Sequence, residues 1–104
     1  MDDAMTHVVM GLIMQGGNAK GYAVAAIRAA QDGDFKKSQE QFKLADDALN
    51  KAHDIQTKLL AKEARGEHTE VNLYLVHAQD WLMNGITFID LAREIVALYR
   101  KISL

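Results

Sequence analysis

Residues 73–89 read LYLVHAQDWLMNGITFI, and near neutral pH only two of these side chains, His77 and Asp80, can carry charge. In a helix, residues three apart lie on neighbouring parts of one face, so the imidazole and the carboxylate project to nearly the same side. A charged group inside an otherwise apolar helix is costly to desolvate unless it is paired or put to use. The pair is therefore the first candidate for function.

Apolar residues extend beyond this stretch along two seams. One is Val71, Leu75, Ala78, Leu82, Gly85, Ile89, Ala92, Val96 and Tyr99; the other is Tyr74, His77, Trp81, Asn84, Phe88, Leu91, Ile95, Leu98 and Ile102. A two-stranded coiled coil needs only one seam. Two seams make a broad apolar arc suited to packing against two neighbours in a bundle. The remaining face changes along its length. Arg93, Glu94, Arg100 and Lys101 fit solvent, whereas Val76, Gln79, Met83 and Ile86 surround Asp80. A helix apolar on every side is a buried one, so a second subunit is expected to cover the N-terminal half.

The length of 104 residues allows one domain, spanning 1–104, with a single core. Proline is absent, and Ala, Leu, Lys, Gln, Glu and Met are abundant, so nothing breaks long helices and propensity favours them. A net charge of −2 without a basic run argues against a nucleic-acid partner. The absence of cysteine removes disulfides and thiolate metal sites and fits a cytoplasmic setting. Met1-Asp2-Asp3 has the wrong charge for a secretory signal. His77, Gln79, Asp80 and Asn84 interrupt the longest apolar stretch and argue against a membrane span. A soluble protein is expected.

The first helix is expected over residues 3–31, with Val8, Val9, Leu12 and Ile13 on its early apolar face and Tyr22, Ala25, Ala26 and Ala29 on its later one. Gly16-Gly17-Asn18 interrupts it. Two glycines cost roughly 2 kcal/mol relative to alanine in a helix interior, which predicts a kink or short break, serving either close packing or function. Asp32-Gly33-Asp34-Phe35 reads as a tight link, with Gly33 left-handed and Asp34 capping the next helix. A second helix over 35–64, a polar link at 65–68 and Thr69 as the cap of helix three complete the chain. The expected fold is all-α, an up-down-up antiparallel three-helix bundle. If helix three lines a central axis, a homotrimer is the natural closed assembly.

Among the four histidines, His7 and His68 read as surface residues, and His53 as a packing or hydrogen-bonding residue beside the helix-two seam. Spacing alone favours a satisfied core role for His77. A neutral imidazole is also a competent nucleophile near pH 7, so accepting a phosphoryl group is chemically reasonable there.

Four stretches together carry a resemblance: Val9-Met10-Gly11-Leu12-Ile13, Gln31-Asp32-Gly33-Asp34-Phe35, Ala52-His53 with Gln56-Thr57 and Leu59-Leu60, and Val76-His77-Ala78-Gln79-Asp80 with Leu82-Met83. In order and spacing they resemble the lactose/cellobiose-type Enzyme IIA family of the bacterial phosphoenolpyruvate-dependent sugar phosphotransferase system. Ala78 and the Val-Met-Gly-Leu-Ile stretch look like the cellobiose/chitobiose branch. The resemblance implies a homotrimer of three-helix subunits. It implies that His77 accepts phosphoryl from the histidine phosphocarrier protein and passes it to a cysteine of the cognate Enzyme IIB during uptake of a β-linked disaccharide. Gln79 is then a supporting residue, and Asp80 is associated with a metal ion on the trimer axis. Oxygen-only ligands favour a hard ion such as Mg2+ or Ca2+, with a protonated cluster or a water-filled axis as the alternatives.

One departure stands out. The family usually reads His-x-Gln-Asp-His-Leu-Met, and Trp81 occupies the place of the second histidine. An indole has one N–H donor but takes no proton. This opens a second reading, a family-like trimer that has lost transfer and acts as a regulatory or structural module. Lys20, where the family commonly has arginine, is a smaller departure.

Overall fold

The computed structural model describes residues 1–103, which form three helices: α1 (Asp3–Gln31), α2 (Phe35–Ala64) and α3 (Leu73–Ile102). They run up-down-up in a rod of 55 × 22 × 19 Å. Two cross-links fix the directions. Gln31 at the end of α1 donates to the Tyr99 hydroxyl near the end of α3, at 3.2 Å, whereas Gln56 late in α2 meets Gln79 early in α3.

Each helix starts on a side-chain acceptor that satisfies an otherwise orphaned backbone N–H. Asp2 accepts from Met5 N at 2.7 Å, Asp34 from Lys37 N at 3.0 Å, and Asn72 from Leu75 N at 2.9 Å. Both α1 and α2 end in the same way. Gly33 (φ +78°) and Gly66 (φ +86°) take the left-handed conformation. The N–H groups of Gly33 and Asp34 then return to the carbonyls of Ala30 and Ala29, and those of Gly66 and Glu67 to Glu63 and Lys62. This pattern closes the open carbonyls of a helix end.

Packing centres on α1, which lies against both other helices, while α2 and α3 touch little. Small residues make this arrangement possible. Ala19, Ala23, Ala26 and Ala30 are buried along α1 and face Phe42, Ala45, Ile89 and Ala92 in the distal half of the core. The half nearer His77 is built from Val9, Leu12, Ala52, Leu75, Ala78 and Leu82.

Four sequence expectations change here. The Gly16-Gly17 pair neither kinks nor breaks α1, which is continuous through both residues. Close packing is their role: a Cβ on Gly16 would lie 3.0 Å from Trp81 Cδ1, and one on Gly85 would lie 3.6 Å from the Gly16 carbonyl oxygen. Helix three begins at Leu73 with Asn72, not Thr69, as its cap. Thr69 is tied back to α2, its backbone N–H donating to Glu63 Oε2 at 3.1 Å. Of the two seams on α3, only the first is buried within the chain. Tyr74, Leu91, Leu98 and Ile102 on the second are each more than half exposed. His53 is exposed as well, rather than packed beside the helix-two seam.

Candidate functional site

The second turn of α3 carries His77, Ala78, Gln79 and Asp80. Ala78 is buried, Gln79 is half-buried, and His77 and Asp80 are exposed. His77 is therefore not a satisfied core histidine, as its spacing alone favoured. Its imidazole stands at the surface, where a partner can reach it. Exposed Tyr74, Val76 and Met83 share that end of the helix.

Gln79 points toward α2, and Gln56 Nε2 donates to Gln79 Oε1 at 2.7 Å. The same Gln56 amide lies 3.7 Å from Met83 Sδ. With its carbonyl oxygen engaged, the Gln79 amide has its N–H2 end left to donate. Sequence reasoning noted Gln56 only as part of a motif. Its role in orienting Gln79 depends on helix pairing, which no spacing rule contains.

His77 and Asp80 share no hydrogen bond among the described residues, although helical spacing places them on adjoining faces. No three His, Asp or Glu side chains gather into a metal-binding group among the described residues. A single exposed carboxylate does not by itself hold a divalent ion. Any ion at Asp80 needs ligands from further copies of the chain.

Trp81 is half-buried, its ring centroid 6.1 Å from that of His77 with 34° between the planes. Its Nε1 is buried and has no hydrogen-bond partner among the described residues. The indole N–H is turned toward Gly17, whose Cβ, if present, would sit 3.4 Å from Nε1. It is thus not displayed to a group on His77. The Lys20 ammonium lies 5.6 Å from the ring centroids of both Trp81 and Phe88. A groove of about 340 Å³ opens there, between α1 and α3.

An exposed imidazole on a long helix, set among exposed apolar side chains, suits a protein that meets another macromolecule face to face rather than one that encloses a small substrate. Comparison with known proteins agrees. The family described as the lactose/cellobiose-specific IIA subunit of the phosphotransferase system (PTS) matches residues 7–100. The galactose-specific EIIA component of the PTS of Lactococcus lactis subsp. cremoris (strain MG1363) is 54% identical over 101 residues, covering 97% of this chain and 86% of the relative. The crystal structure of the PTS cellobiose-specific enzyme IIA from Bacillus anthracis matches with a TM-score of 0.92 and 42% identity, over 97% of this chain and 92% of that one. A chain in the solution structures of the IIA(chitobiose)–HPr complex of Escherichia coli matches with a TM-score of 0.84 and 36% identity, over 100% of both. The chain belongs to the lactose/cellobiose-specific IIA subunit family of the sugar phosphotransferase system. No helix among the described residues is long and apolar enough to cross a membrane.

Proposed function

We propose that this chain carries a phosphoryl group on His77, receiving it from the histidine phosphocarrier protein HPr and passing it to a cysteine of an Enzyme IIB during sugar uptake. The observation that carries this reading is the exposure of His77 among apolar side chains on α3, in a chain whose fold matches, end to end, a protein solved in complex with HPr. In the first transfer a ring-nitrogen lone pair of His77 attacks phosphorus. The P–N bond to the donor histidine breaks, and its electron pair returns to the donor ring. In the second, a thiolate attacks phosphorus: a P–S bond forms while the P–N bond to His77 breaks, its electron pair returning to the imidazole. The chain is a stoichiometric carrier in both steps. The N–H2 end of Gln79, oriented by Gln56, is available as a hydrogen-bond donor beside the site. Relatives named for cellobiose and N,N'-diacetylchitobiose support a β-linked disaccharide such as cellobiose or chitobiose as the transported sugar.

The uncovered half of α3 supports a homotrimer in which Val76, Met83 and Asp80 turn toward an axis shared by three copies. Three carboxylates gathered there repel one another, and a hard divalent ion such as Mg2+ would neutralise them. Asp80 is the residue that would hold it.

A second reading is favoured by one observation, the burial of the Trp81 N–H: a trimer impaired in transfer that works as an interaction module. Incubation with phosphoenolpyruvate, Enzyme I and HPr, followed by intact mass, separates the two. The carrier reading expects one acid-labile phosphoryl per chain, absent in His77→Ala, with helicity and assembly retained. An unmodified wild-type mass would leave the interaction module standing. Phosphorylation that persists in His77→Ala would move the acceptor elsewhere.

A further inference from the structure

We infer that Trp81 is a positioning residue for His77, its indole seated on a recess that Gly16 and Gly17 leave open in α1; this rests on the reading of His77 as the phosphoryl acceptor.

The indole is held from several sides. On the α1 side a Cβ on Gly16 would lie 3.0 Å from Cδ1, and one on Gly17 would lie 3.4 Å from Nε1 and 4.0 Å from Cε2 and Cζ2. The pyrrole edge and part of the six-membered ring therefore rest against glycine backbone, in space that side chains would otherwise enter. Lys20, one turn beyond Gly16, places its ammonium 5.6 Å from the ring centroid, within cation–π range. A side chain with only two torsions, packed this way, has little freedom left.

His77 differs in this respect. It is exposed, and no hydrogen bond from it to another described residue fixes its ring. The neighbour that restricts it is the indole, at a centroid separation of 6.1 Å and a 34° tilt, inside the range of favourable aromatic pairs. Ring orientation matters because the attacking lone pair lies in the imidazole plane. Transfer between two proteins requires that lone pair to be in line with the bond that breaks, and a misaligned reacting group loses rate steeply.

The buried Nε1 rules out a different role. An N–H turned into α1 without a partner does not donate to a phosphoryl group on His77. A phenyl ring would avoid burying that donor but would leave the glycine recess partly empty. What the indole offers is its flat area. Trp81 acts through the packing of its ring beside the imidazole, tilted by 34°, and the Gly16-Gly17 pair on α1 is the complementary half of the device.

The test uses the full chain with HPr phosphorylated through Enzyme I, comparing wild type, Trp81→Phe, Trp81→Leu, Gly16→Ala and the Gly16→Ala/Trp81→Leu double variant. Two quantities are read: transfer rates at limiting and saturating HPr, and the NMR shifts of the His77 ring protons in the unphosphorylated protein. Trp81→Leu is expected to lower the saturating rate about tenfold or more while the KM for HPr changes less than about twofold. Trp81→Phe should retain most of the rate. Gly16→Ala, whose Cβ would lie 3.0 Å from Trp81 Cδ1, should slow transfer and move the His77 resonances in the Trp81 background, and do neither in the Trp81→Leu background. That dependence marks an effect passing through the indole rather than general damage to α1. A Trp81→Leu protein with the wild-type saturating rate would overturn the inference. So would a loss confined to KM, or a Gly16→Ala effect of equal size in both backgrounds. Wild type that takes no phosphoryl on His77 would remove the carrier reading and this role with it. Wild type that takes it there while the variants behave alike removes the role only.

Discussion

The two halves of α3 solve the same packing problem differently. Both present a second apolar seam that the chain leaves largely uncovered. In the distal half Leu91, Leu98 and Ile102 stay exposed, but cations from α3 reach over aromatic rings of α2. The Arg93 guanidinium lies 4.7 Å from the centroid of Phe42, and Arg100 lies 4.8 Å from that of Phe35. Arg93 also pairs with Asp46 across the helix gap. The half nearer His77 has no such bridge to α2 among the described residues. Tyr74, Val76 and Met83 are exposed beside a single carboxylate, Asp80. One half is tied to α2 by its own amphipathic side chains. The other stays open, and the candidate reactive residue lies there.

The largest expected effect breaks the half nearer His77. Val76→Lys combined with Met83→Lys places two charges on the face proposed to line the trimer axis, where desolvation costs several kcal/mol per ion. Light scattering should show a monomer with helicity retained. Glu94→Lys, on the exposed distal face, should leave the assembly unchanged. A double variant that stays trimeric would place the subunit contact elsewhere.

Next in size is the shared core. Leu82 lies on the buried seam, fully enclosed, between Ala78 and Gly85. Leu82→Ala should cost about 2–5 kcal/mol of unfolding free energy, measured by chemical denaturation. Leu98→Ala, on a side chain 60% exposed, should stay within about 0.5 kcal/mol. Equal losses would mean that the second seam is covered in solution along its whole length.

That contrast also shows how far the sequence could be read. Helix ends were legible where capping chemistry is local: Asp34 and Gly33 do what their side-chain chemistry dictates. Thr69 was misread because it and Asn72 are both capping types only three residues apart. The choice between them was settled by Glu63 drawing the Thr69 N–H back to α2, a contact between elements. Gly16-Gly17 was misread for a related reason. Propensity counts the missing side chains of two glycines as a weakness, whereas tertiary packing fills their place with the indole of Trp81. His77 and Asp80 stand out in the sequence as the groups of an apolar stretch that are ionisable near neutral pH. Their exposure was not legible, because a seam pattern does not say whether its second neighbour comes from the same chain.

A smaller effect is expected from Asp80. If three copies meet at an axis, Asp80→Leu removes the carboxylate repulsion and the ion together. Chelator should then lower the melting temperature of the wild-type protein and leave that of Asp80→Leu unchanged. Wild type indifferent to chelator, with no metal by elemental analysis, would take the ion out of the account.

The smallest effect probes the distal half. Arg93 makes two contacts, a pairing with Asp46 and a position over Phe42. The two charged side chains are 44% and 48% exposed, so the ion pair is screened by solvent and contributes about 0.2–1 kcal/mol. The guanidinium over the ring contributes about 0.5–1 kcal/mol more. Arg93→Ala should therefore lower stability by about 1 kcal/mol, and 1 M salt should shrink the loss only in part, because the apolar cover given by the arginine stem does not depend on charge. Arg93→Met separates the contributions: it keeps most of the stem and loses the charge. If Arg93→Met is as stable as wild type, cover alone matters in the distal half. If it matches Arg93→Ala, the charge does the closing, and the two halves of α3 differ in electrostatics rather than in apolar cover.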